Sequence, residues 1–464
     1  MYDLAVIGTG PGGYVAAIRA ARKGMKVLLV EKEEVGGTCL NRGCIPTKAL
    51  LSDVKPLHRL KSSPVYRGTD GVTIDLEKML DRKEQVVKTL AGGLTAILRS
   101  CGITIVKGKG ELSRPDLVRV WIHGKPEDYH VRKVIIATGS KPSVPPSIPV
   151  DGDFVITSDE ALNPRSVPEE MVIVGGGVIG VEFATLYRFL GTKVTIVEML
   201  PDILMTEDID VRKGLRSILE KQGVEIHVQT KVIGVQVKED GKVTVFCEDR
   251  EGREHRLGGN QVLVAAGRSP CLEGIDLDRL GIATDGPFIK VNPRMETSAP
   301  GIYAIGDVIG GKMLAHVAME EAEVAVDNIL GRPREVDYTR MPNCIFTLPE
   351  VGSIGMTEEE ARQRGGEIKV GKFSYAFSGR AQAEGSTDGF VKVIADPQTG
   401  EILGAHILGE RATDLIGEIA LAMTAEAVVE DLSAAVKGHP TFSECLKEAA
   451  LAWEGRPLHF LGGS

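Results

Sequence analysis

Cysteine is scarce in this chain: seven in 464 residues, mostly scattered, which excludes a secreted scaffold held together by disulfides. Long apolar runs are missing as well, none reaching the ~18 residues of a membrane span. No charged segment followed by an apolar one precedes the first strand-like residues, 3–7, so the reading is of a cytoplasmic protein without a secretory leader. Positive charge is outweighed, with 55 Lys and Arg against 64 Asp and Glu and a net charge of −9. With no basic tract and no Cys/His spacing of the zinc kind, the sequence predicts neither a nucleic-acid partner nor a bound metal.

Glycine, by contrast, is plentiful at 55 residues, and 464 residues exceed what one core can hold, so roughly three domains are expected. One unit occurs twice. Residues 3–7 read as a strand, followed by Gly8-x-Gly10-x-x-Gly13, a helical stretch over 16–22, and a strand ending in Glu31. The pattern returns at a constant offset of 167 residues as 171–174, Gly175-x-Gly177-x-x-Gly180, a helix from Glu182 to Leu190, and a strand ending in Glu198. In each unit the glycines let the backbone approach a pyrophosphate, the helix N-terminus offers free N–H groups, and the acid accepts from ribose hydroxyls. Two dinucleotides are therefore expected. Glu198 would repel a ribose 2′-phosphate and residues 199–209 hold no Arg or Lys to accept one, which predicts NAD over NADP at the second site.

Strands over 134–139 and 262–268 read as the closing strands of the units, with a proline-rich linker over 142–149. A strand over 301–307 ends in Asp307, placed either to hold a polar ligand at a sheet edge or to cap a helix. From Tyr338 the character changes: short strands over 344–347, 389–395 and 402–407 precede a helix over 414–429 with an apolar face (Leu415, Ile416, Ile419, Ala420, Met423). A last helix runs to Trp453, with Thr441 or Ser443 as its N-cap.

Between the units lies Gly36-Gly37-Thr38-Cys39-Leu40-Asn41-Arg42-Gly43-Cys44-Ile45-Pro46-Thr47-Lys48. Five residues along an ideal helix separate two thiols by roughly 7.5 Å and turn them about 140° apart, too far for a disulfide. If the two close a bridge, the backbone between them must be irregular, which Gly36, Gly37 and Gly43 permit. Pro46 suits the first turn of a helix starting near Cys44, and Lys48 shares that helix face. Two buried cysteines in a glycine-rich turn would give the same spacing. The pair stands close behind a dinucleotide fingerprint, which favours redox chemistry. Near the C-terminus, His439 followed by Pro440, Thr441 and Glu444 reads either as a solvated loop histidine or as a proton carrier with its carboxylate.

Taken together, these motifs resemble those of the two-cysteine flavoprotein disulfide reductases across essentially the whole chain, and most closely the members that oxidise dihydrolipoyl dithiols. The resemblance implies an α/β fold class: two Rossmann-like dinucleotide-binding domains plus a C-terminal α+β dimerisation domain. It assigns 1–145 to the first part of an FAD-binding domain, 146–269 to an NAD-binding domain, 270–337 to a central domain completing the FAD site, and 338–464 to the dimerisation domain. It implies a Cys39–Cys44 redox disulfide, with Cys39 meeting substrate and Cys44 against the flavin, Lys48 paired with Glu182, and His439 oriented by Glu444 as the base across a homodimer. For FAD it implies Gly8, Gly10, Gly13, Glu31, Lys32, Gly37, Thr38, Gly110, Thr138, Gly139, Ser140, Asp307, Met313, Leu314, Ala315 and His316. For NAD it implies Gly175, Gly177, Val178, Ile179, Gly180, Glu198, Val232, Gly267 and Arg268. The implied partner is a lipoyl domain on the acyltransferase core of a 2-oxo-acid dehydrogenase or glycine-cleavage complex, without metal.

Alternatives are a reductase of the glutathione type and a non-catalytic flavin-loaded subunit. The C-terminal residues 458–464 hold no cysteine pair, which argues against mercuric and large thioredoxin reductases. Five positions depart from the common pattern: Arg42 between the cysteines, Lys437 and Gly438 before His439, Cys271, and Cys445 beside Glu444. A cation so placed favours thiolate, so Arg42 is expected to retune the pair.

Overall fold

A computed structural model describes residues 1–239 and 241–460; the last four residues of the cysteine-free C-terminus lie outside the described residues. Strand β1 (Tyr2–Ile7), helix α1 (Pro11–Arg22) and strand β2 (Val27–Glu31) form the first unit. Two helices follow, α2 (Gly37–Arg42) and α3 (Cys44–Ser62), then the long α4 (Leu76–Ser100) and β3 (Thr104–Lys107). β4 (Lys109–Arg114) and β5 (Leu117–Ile122) form an antiparallel meander with the near half of β6 (Lys125–Ile136). The far half of β6 pairs parallel with β1, and the strand Ile302–Ala304 pairs parallel with β6 on its other side. The parallel core therefore runs β3-β2-β1-β6 and then 302–304, so a segment distant in sequence completes the first sheet. Leu4 to Ile7 and Val27 to Val30 are all buried, as expected of parallel strands covered on both faces.

The second unit builds a parallel sheet in the order Glu225–His227, Lys193–Val197, Glu170–Val174, Gln261–Val264, Val155–Ile156. Beside it lies an antiparallel sheet of Thr230–Val237, Val243–Asp249 and Glu254–Gly259. The proline-rich stretch begins as a strand: Ser140–Pro142 pairs antiparallel with Arg268–Pro270, tying the two units together.

The C-terminal part is an antiparallel sheet in the order Asn343–Ile345, Glu350–Gly355, Ile402–Gly409, Phe390–Ala395, Lys369–Ser374. The strands 350–355 and 369–374 escape the sequence pattern, the first because glycines at 352 and 355 dilute its apolar content. Gly352 is required there, since a Cβ would lie 2.4 Å from the Ala412 carbonyl oxygen of the overlying helix. That helix, Ala412–Thr424, stops short of the expected 429. Glu426 turns left-handed (φ +56°) and the Ala427 N–H returns to the Ala422 carbonyl, closing the last turn without a glycine. Its Leu415, Ile416 and Ile419 are buried within this domain, leaving Leu421 exposed. The last helix, Glu444–Glu454, has no side-chain N-cap: the Ser443 hydroxyl turns to Glu418 and the Thr441 N–H donates to Glu444.

Candidate active site

The two fingerprints fold alike because their glycines are sterically compelled. Gly8 has φ +104° and a Cβ there would lie 2.2 Å from the Ala137 carbonyl oxygen; at Gly175, φ is +112° and the clash is 2.4 Å from that of Ala265. Gly13 and Gly180 each pack so close that a Cβ would lie 2.0 Å from the carbonyl oxygen of Gly8 and Gly175 respectively. Gly10 and Gly177 instead face open space, with no heavy atom within 4 Å of a Cβ. These two residues cap α1 and the helix Val178–Leu190 without any side-chain hydrogen bond, leaving the terminal N–H groups of both helices pointing into that space, with Val178 and Ile179 in the first turn of the second. The cradles fit a pyrophosphate apiece.

Glu31 and Glu198 close the second strand of each unit and are held by main chain. Glu31 accepts from the Thr9 N–H (3.1 Å), the Thr9 hydroxyl and the Glu33 N–H (2.8 Å). Glu198 accepts from the N–H groups of Gly176 (2.6 Å) and Leu200 (2.8 Å). Lys32 leans on Glu33 instead (3.5 Å). Gly110 lies over the ends of β1 and β2, where a Cβ would meet Ile7 and Val30 at 3.1 and 3.2 Å. Val232 is buried, opposite Cys247 in the antiparallel sheet.

A third cluster forms where the units meet. The Asp307 carboxylate accepts from the Ser140 hydroxyl, and Arg268 donates to the Ser140 hydroxyl (2.6 Å) and carbonyl (2.9 Å) while lying 3.6 Å from Asp307. Asp307 sits inside the short helix Gly306–Ile309, so it is not an N-cap. Arg268, which the resemblance grouped with the NAD residues, reaches into the first unit. The Thr138 hydroxyl beside it is buried without a hydrogen-bond partner among the described residues, as a ligand-facing group would be, and Gly139 (φ +71°) and Gly267 (φ +100°) face open space. Met313 is part-exposed, Leu314 caps the helix Ala315–Ile329, and His316 Nε2 bonds the Pro342 carbonyl (2.7 Å).

The cysteine box rests directly on the first glycine turn: at Gly37 (φ +62°) a Cβ would lie 2.6 Å from the Gly10 Cα. Gly43 breaks α2 from α3 with φ −145° and ψ −109°, and a Cβ there would lie 3.0 Å from the Thr38 carbonyl oxygen and 3.3 Å from the Cys39 Cα. This break is the irregular backbone the spacing demanded. Cys39 and Cys44 are both free thiols here, hydrogen-bonded to each other. That bond lowers the Cys44 thiol to about 7 against its burial, with the Lys48 charge helping and Glu182 opposing. The same bond, together with burial, drives the Cys39 thiol up.

Lys48, one turn past Cys44, forms a two-pronged pair with Glu182 (2.8 and 3.0 Å) and lies 4.5 Å over the Phe346 ring. Glu182 also accepts the Phe346 N–H (2.9 Å), so three parts of the chain converge on the thiols. Arg42 does not act on them: its guanidinium pairs with Glu33 and lies 3.7 Å from Asp159. Cys271 and Cys445 are pushed up by burial, Cys445 to about 11, and take no part in the thiol pair.

His439 Nδ1 bonds Glu444 Oε1 at 2.8 Å, and the second Glu444 oxygen takes the Thr441 N–H. The His439 side chain is 78% exposed. Among the described residues no hydrogen bond or ion pair joins this couple to Cys39, Cys44, Lys48 or Glu182. Lys437 pairs with Glu418, away from His439.

Sequence reading missed Glu321 and Tyr338. Glu321 is 2% exposed on the apolar side of the helix Ala315–Ile329, an acid where the pattern calls for an aliphatic residue, and that was the available signal. It accepts from the Gly306 N–H (2.7 Å) and the Tyr338 hydroxyl (2.8 Å), bracing the Asp307 turn, and burial raises its carboxyl to about 7.

Comparison with known proteins identifies the chain's family. Residues 2–322 match the pyridine nucleotide-disulphide oxidoreductase family and residues 341–450 its dimerisation domain. The chain is 40% identical to a dihydrolipoyl dehydrogenase of Bacillus subtilis, covering 99% of each, and 43% identical to one of Manduca sexta, covering 99% and 94%. Among solved structures it resembles the HOCl-induced flavoprotein disulfide reductase RclA from Escherichia coli, with a TM-score of 0.85, 31% identity, and 96% and 98% coverage. No helix among the described residues is long and apolar enough to cross a membrane.

Proposed function

This chain belongs to the pyridine nucleotide-disulphide oxidoreductase family, a flavoprotein disulfide oxidoreductase working with FAD and NAD(H), and we propose that its substrate is a dihydrolipoyl dithiol and its acceptor NAD⁺. The observation that carries the reading is the pair of neighbouring thiols beside a Lys48–Glu182 ion pair, together with a His439–Glu444 couple whose ring keeps Nε2 free of partners among the described residues. The similarity to two dihydrolipoyl dehydrogenases over nearly their full lengths supports the choice of dithiol.

In the oxidised protein Cys39 and Cys44 would be joined Sγ to Sγ. A dihydrolipoyl thiolate attacks Cys39, and Cys44 leaves as the thiolate that its neighbours favour. His439 Nε2 takes the proton of the attacking thiol, since only the thiolate attacks a disulfide. Glu444, holding Nδ1, fixes the tautomer and steadies the imidazolium. The second substrate thiol displaces Cys39 from the mixed disulfide while its proton passes to the departing Cys39 sulfur, so that cyclic disulfide leaves and Cys39 ends as a thiol. FAD held here would supply two-electron transfer to NAD⁺ from the Cys39–Cys44 pair, which thereby re-closes its disulfide. Gly8, Gly10, Gly13, Glu31, Gly37, Ser140 and Asp307 would hold the flavin, and Gly175, Gly177, Gly180 and Glu198 would hold the nicotinamide cofactor. Lys48 and Glu182 hold the cationic wall beside Cys44. The natural partner is a lipoyl domain on an acyltransferase core, and a homodimer brings His439 of one copy to the thiols of the other.

The test separates the two halves of the reaction. His439→Gln is expected to cut dihydrolipoamide oxidation ~10²–10⁴-fold while NADH-driven reduction of an artificial acceptor largely survives. Equal losses in both would make His439 structural. Failure of the unmodified protein to oxidise dihydrolipoamide, with turnover of glutathione disulfide instead, would move the reading to the glutathione type.

A further inference from the structure

We propose that His459 and Glu448 form a second imidazole–carboxylate pair beside His439 and Glu444, and that His459 acts through this neighbour as a positioning residue for proton transfer at the dithiol site. The inference rests on the reading just given and deepens it.

Glu444 and Glu448 are four residues apart on the helix Glu444–Glu454, and so stand one above the other on one face about one turn apart. Each does the same two things. Glu444 bonds His439 Nδ1 at 2.8 Å and takes the Thr441 N–H with its other oxygen. Glu448 bonds His459 Nδ1 at 2.7 Å and takes the N–H groups of Leu458 and His459 with its other oxygen, at 3.3 Å each. Glu448 is 5% exposed while the His459 ring is 69% exposed; in the first pair the ring is likewise exposed, and the Glu444 side chain is 33% exposed. Among the described residues nothing engages Nε2 of either ring. A clip that merely fastened the tail would need the two N–H bonds and no imidazole.

The other ionic groups of these elements are committed elsewhere. Lys437 pairs with Glu418, Arg456 with Glu454, Lys447 donates to the Ala435 carbonyl, and Lys369 lies over the Trp453 ring. His459 is therefore the remaining imidazole held on the helix face that carries the His439–Glu444 couple. Burial tends to raise the Glu444 carboxyl, and the Thr441 N–H, the His439 ring and the charge of His459 outweigh it and hold it below the usual range. A cation at His459 steadies the Glu444 carboxylate and opposes a second cation at His439, so His439 releases to water the proton it took from the dithiol.

The test uses the full-length holoenzyme and kcat/KM for dihydrolipoamide across the imidazole range. His459→Gln is expected to move the acid limb to higher pH by about half a unit, an effect that shrinks in high salt, and to leave the NADH-driven acceptor reaction unchanged. Glu448→Gln should give a smaller shift. His459→Lys, with a permanent charge, should bring the limb back to or below that of the unmodified protein. In parallel, ¹³Cε1-labelled histidine spectra follow the His439 resonance, whose titration should move with the limb in each variant. A His459→Gln profile superimposable on the parent, or equal loss of both half-reactions, would overturn the inference. If the unmodified enzyme does not turn over dihydrolipoamide, the function reading falls, while the resonance of His439 still decides whether His459 is coupled to it.

Discussion

At the residue scale the site works by giving like groups unlike neighbours. Cys39 and Cys44 are the same side chain, yet with their mutual bond and the Lys48 charge beside them the Cys44 thiol is lowered and the Cys39 thiol raised. Cys39→Ala removes the largest cause, so the Cys44 thiol should return from about 7 toward its ordinary range near 9, read as thiolate ultraviolet absorbance against pH in the reduced protein. Lys48→Met should raise it too, and leave the Glu182 carboxylate, 6% exposed, without its cation; a loss of roughly 3 kcal/mol in a urea titration is expected. Glu321 runs the other way. Its carboxyl titrates at about 7 in the folded chain against 4.5 for the free group, so the folded state binds the extra proton between those values. Its contribution is complete below about 4.5 and disappears as pH rises through about 7. Against Glu321→Gln, the unmodified protein should lose on the order of 3 kcal/mol of stability across that window, and a constant difference would mean the carboxyl is not raised.

At the scale of elements the decisive feature is the broken helix. α2 and α3 would be one helix but for Gly43, and the break is what turns Cys39 back onto Cys44. The box is seated by Gly37, whose left-handed backbone and missing Cβ let α2 touch the first glycine turn. Gly37→Ala should therefore cost about 2 kcal/mol and lower the flavin content of the purified protein. Gly24→Ala is the control: its φ is +86° but nothing lies within 4 Å of its Cβ, so some stability should be lost and the flavin kept. Equal flavin loss in both would mean that strain alone, and not the contact with Gly10, governs binding. The same reasoning explains the helix that ended early at Thr424, where one left-handed Glu426 closes the turn although no glycine or proline announces it.

At the scale of the whole molecule, the thiols lie in the part that matches the oxidoreductase family and the His439–Glu444 couple in its dimerisation domain, and among the described residues no hydrogen bond or ion pair joins them. A mixed dimer tests the crossing. Pairing a Cys44→Ser chain with a His439→Gln chain places both defects in one site and none in the other, so each mixed dimer should regain about half the dithiol activity and an equal mixture reassociated at random about a quarter; no recovery would place base and thiols in the same chain. Sedimentation under assay conditions should show a dimer, with the exposed Leu421 and Val436 among the apolar groups available to a partner surface. The glycine fingerprints, the two closing acids, the cysteine box and the His439–Glu444 spacing were all legible in the chain, because each is a short-range device whose residues lie within one turn, one strand–helix unit or one helical step. What no local pattern could supply was the direction in which charged side chains point. Arg42, which by proximity alone should have acted on the thiols, is drawn off to Glu33, and Arg268 leaves its own unit for Ser140 and Asp307. Glu182 reaches Lys48 across 134 residues, Phe346 joins them from the C-terminal sheet, and Glu321 braces a turn that it follows by fifteen residues. Sequence fixes which backbone shapes are sterically open; which charges become partners depends on what the packed domains bring within hydrogen-bonding reach.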